Sequence, residues 1–334
     1  KQYYDFIAEL SEVDRQFFHH SGSGKIIGIS EPMINLYRLL SQIRKKDVTT
    51  ILYGSSGTGK NLVAGCLHDY SLRKNNPLIS VNCPAIPKEL LESELFGHAK
   101  GAFTGADSDK DGKFQAANSG TIFLDEIGDM DMGLQAKILR VLENGEVEKV
   151  GTNNSIKVDV RVVSATNQDL PKMVEEKKFR QDLYHRINVF PITVPSLSDH
   201  PGDIPFIAYS ILEQLSKKHG SSVSYISSDA LAFMKSYDWP GNVRELENIM
   251  ERAILTSIDN ELSLSDIEPL IEIAEPIEKE TNITSDEKNQ NKQVSEDEID
   301  SIEDVNKVDT EETIPSSSEA TGLKSLKEIE LDAI

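Results

Sequence analysis

The heptapeptide GSSGTGK, Gly54 to Lys60, follows the apolar run TTILY and precedes the helix-like run NLVAGCLHDY. Glycines in such a loop let successive backbone N–H groups curl around phosphate oxygens, and a lysine after the last glycine reaches the terminal phosphates. Gly54, Ser55, Ser56, Gly57, Thr58, Gly59 and Lys60 are therefore candidate phosphate ligands, and the spacing Gly54-x4-Gly59-Lys60 fits. The next residue is Asn61, where the strict motif places a Ser or Thr hydroxyl on Mg2+. A second GSGK, at 22–25, follows no strand-like run and has His19 where the first glycine belongs, so it reads as a linker.

GTIFLDEIGDM, Gly120 to Met130, reads as a buried strand ending in two adjacent carboxylates. Asp125 would orient Mg2+, directly or through water, and Glu126 would position a water for in-line attack on a phosphoryl group. The two motifs together predict a site for a nucleoside triphosphate with Mg2+. VDVRVVSATN brings Thr166 and Asn167 to the carboxyl edge of the same sheet, where ligands of open α/β sheets bind. FRQDLYHRINVFP carries Arg180 and Arg186, suited to an arginine finger supplied by a neighbouring subunit. Arg244, in WPGNVRELEN, sits early in a helix from which it can reach the phosphates across a cleft. Taken alone, each arginine also reads as half of a solvated salt bridge.

These residues need a scaffold. Residues 25–195 alternate strand-like and helix-like segments, the pattern of an α/β fold with a mostly parallel sheet. Its strand candidates are TTILY, PLISVN, GTIFLDE, VDVRVVSATN and NVFPITV. Residues 196–268 lose the strand signals and read as a small α-helical domain, with two helices joined at Trp239-Pro240-Gly241. Residues 1–24 suggest a short helix and a joint, and 323–334 suggest the opening of a further helical domain. Between them, 269–322 reads as an acidic disordered linker. Residues 271–322 hold 16 Asp/Glu against 4 Lys and no aromatic residue, too little apolar surface to fold alone. As a coil of about fifty residues it would span roughly 40 Å r.m.s..

The net charge of −21 argues against a nucleic-acid binder by charge. The absence of an apolar run of membrane-spanning length, with two cysteines in unrelated surroundings, points to a reduced, cytoplasmic protein that does not enter membranes.

One stretch fits no structural need. GAFTGA, Gly101 to Ala106, has no amphipathic period and no charge, and it sets one Phe and one Thr on a flexible support. Its order among GxSGTGK, ESELFGHAKGAFTGA, GTIFLDEI, SATNQDL, FRQDLYHRINVFPI and WPGNVRELEN resembles the central AAA+ domain of bacterial sigma-54-dependent transcriptional activators of the nitrogen-regulatory type, over residues 25–268. The resemblance implies an AAA+ P-loop core with a helical lid, forming a ring, usually a hexamer. Such a ring hydrolyses ATP to remodel the closed complex of sigma-54 RNA polymerase. It further implies that Asn82 holds Glu126 in an inactive pose until the γ-phosphate is sensed, that Asn167 and Arg244 are sensors, and that Arg180 and Arg186 act in trans. Gly101, Ala102, Phe103, Thr104, Gly105 and Ala106 become the tip of a loop inserted in a helix, with Phe103 and Thr104 meeting the sigma factor. The last residues would begin a helix-turn-helix domain for enhancer DNA, of which this sequence lacks the recognition helix.

Several positions depart from the family pattern. Ser55 and Asn61 stand where the family usually has Glu, and LSDH, Leu197 to His200, replaces LRER, leaving contacts near the domain junction open. Two other readings remain: an AAA+ helicase or unfoldase, which has no reason to carry GAFTGA, and a nucleotide-gated scaffold that does not hydrolyse, with Asn61 as its mark.

Overall fold

The computed structural model describes residues 26–274. The expected N-terminal helix and joint, the linker beyond 274 and the segment 323–334 lie outside the described residues. In chain order the first part comprises α1 (Glu31–Ile43), β1 (Thr50–Tyr53), α2 (Lys60–Asp69), β2 (Leu78–Asn82), α3 (Lys88–Phe96), β3 (Gly97–His98), β4 (Lys110–Asp111) and α4 (Lys113–Ala116). It continues with β5 (Thr121–Asp125), α5 (Met132–Asn144), β6 (Glu146–Glu148), β7 (Ser155–Lys157), β8 (Arg161–Thr166), α6 (Leu170–Glu175), α7 (Gln181–Ile187) and β9 (Phe190–Thr193). A helical part follows: α8 (Ile204–His219), β10 (Tyr225–Ile226), α9 (Ser228–Ser236), α10 (Asn242–Thr256), β11 (Glu261–Leu262) and α11 (Leu264–Ala274).

Five strands form a parallel sheet in the order β2-β5-β8-β1-β9, and each lies within one of the five strand candidates read from the sequence. Strand side chains alternate between faces, and the sheet uses this. Ile122 and Leu124 of β5 pack with Phe96, Phe114, Leu134 and Ile138 on one side, while Phe123 packs with Leu36, Leu40, Val63 and Leu67 on the other. Helices therefore cover both faces, which explains why all five residues of β5 are buried. The register levels the carboxyl ends, with Asn82 opposite Asp125 and Tyr53 opposite Thr166. Every motif that ends a strand thus arrives at one edge.

The helical part buries its own core around Trp239, Met250, Leu246 and Ile254. Its last helix corrects the boundary expected at 268/269. α11 runs to Ala274 with Pro269 inside it. Proline removes one backbone donor, but buried Ile267 and Ile271, one helical turn apart, anchor the helix on the lid core. Cys66 and Cys83 are buried free thiols, and burial pushes both up to about 12.

Candidate functional site

Gly54–Gly59 leaves β1 and turns directly into α2, whose first residue, Lys60, is buried. Gly57 has φ +79°, and a Cβ there would lie 2.2 Å from the Gly241 carbonyl, so both backbone conformation and crowding require glycine. The Lys60 ammonium donates to the carbonyls of Gly54 (2.8 Å) and Ser55 (3.3 Å) and pairs with Glu126 Oε1 at 3.1 Å. The other Glu126 oxygen accepts from the Asn167 backbone N–H at 2.9 Å. Glu126 itself has φ +54°, a left-handed conformation uncommon for a residue with a Cβ, and strain of this kind concentrates at functional sites.

These groups line a cleft of about 660 Å3 at the carboxyl edge of the sheet. Ser56, Gly57, Gly59, Lys60, Asn61, Asn82, Asp125, Glu126, Asn167 and Arg244 all face it. Of the sequence-predicted nucleotide residues, Gly54, Ser55 and Thr58 do not. The first two give carbonyls to Lys60, and Thr58 lines a second cavity. That cavity, of about 240 Å3, is walled by Ile26, Ile27, Leu36, Val63, Val194 and Ile207, and it shares Gly59, Leu62, Val243 and Glu247 with the polar cleft. The result is a two-part site, apolar at one end and ringed by two cations, carboxylates and amides at the other.

Sequence reasoning missed Asp129 and Gln168, which also line the cleft and hydrogen-bond to each other. Gln168 directly follows Asn167 in SATNQ and Asp129 stands three positions after Glu126 in DEIGD, so closeness in sequence was the available signal.

Burial, followed by the charge of Glu126, pushes the Asp125 carboxyl above the ordinary aspartate range. Its Oδ1 is buried without a hydrogen-bond partner. An orphaned carboxylate oxygen on a polar cleft suits a bound cation, and that donor chemistry fits Mg2+.

The structure does not bring the Asn82 side chain onto Glu126. That side chain accepts from Ala85 N at 3.3 Å, capping the short turn after β2, while Lys60 and Asn167 hold Glu126. A side-chain cap is the nearer partner because Asn82 ends its strand immediately before that turn. Arg180 and Arg186 do not line the cleft of their own chain. Arg180 forks onto Asp182 (3.0 and 2.7 Å), and Arg186 donates to the Leu142 carbonyl (2.7 Å).

GAFTGA emerges between α3 and α4 on the antiparallel stem β3–β4. Gly101 N donates to Ala106 O (2.8 Å) and Ala106 N to Phe103 O (3.0 Å), which closes the six residues into a compact turn. Gly101, Phe103, Thr104 and Gly105 are exposed, and a Cβ added at either glycine meets nothing within 4 Å. Ala106, included in the expected contact tip, is instead buried and forms the base of the turn. The Phe103 ring stands edge-on to His98 at 5.0 Å, a contact that props the exposed side chain.

A glycine-rich loop leaving β1, between β8 and β9 in this parallel sheet, beneath a helical lid that contributes Arg244, defines an AAA+ P-loop NTPase core with its lid. Comparison with known proteins narrows the class. The Sigma-54 interaction domain matches residues 26–193 and the AAA+ ATPase lid domain matches 198–284. The chain belongs to the Sigma-54 interaction domain family. Among curated relatives, it is 46% identical over 256 residues to the DNA-binding transcriptional activator HyfR of Escherichia coli K12 (77% of this chain, 38% of the relative). It is 48% identical over 227 residues to the transcriptional regulator NtrC of Rhizobium meliloti (68% and 47%). The structure of NtrX from Brucella abortus in complex with ATP superposes with a TM-score of 0.69 at 33% identity, over 77% of this chain and 57% of that one. The chain thus spans less than half the length of these two curated relatives. Among the described residues, no helix is long and apolar enough to cross a membrane.

Proposed function

We propose that this chain is the ATP-hydrolysing engine of a sigma-54-dependent activator, which remodels the closed complex of sigma-54 RNA polymerase through the loop at Gly101–Ala106. The observation that carries the reading is the pairing of the two-part cleft with an out-turned loop bearing one exposed Phe and one exposed Thr. The apolar cavity suits a purine base, and the loop at Ser56–Lys60 suits the phosphates that follow it. Asp125, with Asn61 beside it on the cleft, would hold Mg2+, which when bound neutralises charge developing on the phosphates. Glu126 orients the attacking water once its carboxylate leaves Lys60, and Lys60 then turns from the loop carbonyls to the phosphates. Arg244 reaches the phosphates from the lid, and Asn167 reports on them from the end of β8. Asn82, one strand from Glu126, remains in this reading a partner for that carboxylate in another nucleotide state. Arg180 and Arg186 lie off the cleft of their own chain, as trans fingers in a hexameric ring must. Enhancer DNA would be bound by a domain beyond the described residues, and the protein would work in the cytoplasm.

Thr104→Ala tests this directly, because it removes one hydroxyl from an exposed tip away from the cleft. ATP turnover should stay within about twofold, while trapping of sigma-54 in the presence of an ATP transition-state mimic should be lost. Normal trapping would refute the contact, and joint loss of turnover and trapping would make the loop structural.

A second reading has an observation behind it. The Lys60–Glu126 pair and Asn61 suit a nucleotide-gated scaffold that does not hydrolyse. Steady-state ATP turnover separates the two, since the scaffold predicts none above a Glu126→Gln control.

A further inference from the structure

The turn Trp239–Asn242 between α9 and α10 lies directly on the phosphate loop, and one side chain there makes contacts in two directions. Asn242 is buried, with φ +54°. Its amide Nδ2 donates to the Ser56 carbonyl at 2.9 Å, while Oδ1 accepts from the Leu197 backbone N–H at 2.8 Å. The amide orientation follows from the partners, since a carbonyl can only accept and an N–H can only donate. Beside it, Val243 N donates to the Gly57 carbonyl at 3.1 Å. Asn242 thus joins the phosphate loop to Leu197, in the segment between β9 and α8 that links core and lid. Two residues further on, Arg244 lines the cleft.

We propose that Asn242 is a positioning residue that holds the phosphate loop in its nucleotide-binding shape and ties that shape to the lid. The proposal rests on the ATP reading above. The peptides that carry the Ser56 and Gly57 carbonyls also carry the N–H groups of Gly57 and Thr58, which point to a phosphate only while those peptides keep the present orientation, and Asn242 and Val243 grip both carbonyls. Without the grip, ATP must order the loop on binding. That cost falls equally on the bound ground state and on the transition state, so it raises KM and leaves kcat alone.

Two variants separate this from a folding role. Asn242→Gly tolerates the left-handed backbone and removes the side-chain bonds to Ser56, Leu197 and Pro240. Asn242→Asp keeps the acceptor for Leu197 N and loses the donor to Ser56 O. Trp239 is the only tryptophan of the chain and is buried in the lid, so its emission reports lid integrity without a label. ATP affinity, KM and kcat are measured on the full chain, with Trp239 emission recorded on the same samples. The expected result is a KM and Kd for ATP raised about five- to tenfold in both variants, kcat within twofold of wild type, and unshifted emission. An unchanged KM, a fall in kcat at constant KM, or loss of the buried emission in both variants would each overturn the proposal. A wild-type chain that fails to bind ATP overturns the nucleotide reading and the clamp with it. Normal ATP binding by wild type and both variants overturns the clamp alone.

Discussion

Replacing Asp125 by Asn should make the nucleotide-free protein more stable and the nucleotide-bound protein less so. The carboxyl is 9% exposed, its Oδ1 has no hydrogen-bond partner, and the Glu126 carboxylate is the next residue along the chain. A buried polar group left unsatisfied costs about 1–3 kcal/mol. Asn keeps the shape and removes the charge, so a gain of about 1–2 kcal/mol is expected, because its amide remains buried. For a domain of 150–250 residues each kcal/mol moves Tm by about 2–4 °C, so the variant should melt roughly 2–8 °C higher. A ligand at one hundred times its Kd stabilises the native state by about 2.7 kcal/mol. Wild type should gain that from Mg2+ with a non-hydrolysable ATP analogue, and Asp125→Asn should gain little, which reverses the order of melting. Thermal unfolding of both proteins with and without Mg2+ and the analogue is the assay. A variant that melts at or below wild type without nucleotide refutes the strain argument. Equal stabilisation of the two proteins by the Mg2+ complex refutes the assignment of Asp125 to the cation.

Mixing Arg186→Ala chains with Glu126→Gln chains should restore part of the hydrolysis that each lacks alone, because a mixed ring contains interfaces free of both lesions; no recovery at any ratio, with rings verified by sizing, argues against trans action. Acid should loosen the seam between lid and core through Asp203. Burial alone would raise this carboxyl, but the facing His200, the Ile29 N–H and the Ser30 hydroxyl outweigh it and hold it below the ordinary aspartate range. A depressed carboxyl contributes its stability above the unfolded value of about 3.9 and loses it as pH falls through the folded value. Wild type should therefore lose its stability advantage over Asp203→Asn below about pH 4, and an advantage that is flat with pH in urea unfolding would contradict this.

Much of the site was legible because its motifs are local. GSSGTGK, TIFLDE and RVVSAT each join a strand to the residues that follow, so their chemistry and position were written in one stretch of chain. The polar contacts that join separate stretches were not. Asn242 meets Ser56 across 186 positions and Asp203 meets Ile29 across 174, and no periodicity encodes a bond between two surfaces that must first fold and then meet. LSDH shows the same limit from the other side. Read against LRER it looked like a loss, two arginines gone from a junction. Folded, Leu197 is buried and gives its N–H to Asn242, and Asp199 closes a capping box with Ser196. His200 lies 3.3 Å from Asp203 on the wall of the apolar cavity. Leu197, His200 and Asp203 are buried at this junction, and the bond from Leu197 comes from its backbone N–H, which any residue but proline supplies. A departure from a family's residues is a departure in stability only if the contact goes unmade, and at this junction the bond from Leu197 to Asn242 belongs to the backbone and does not depend on the residues that differ.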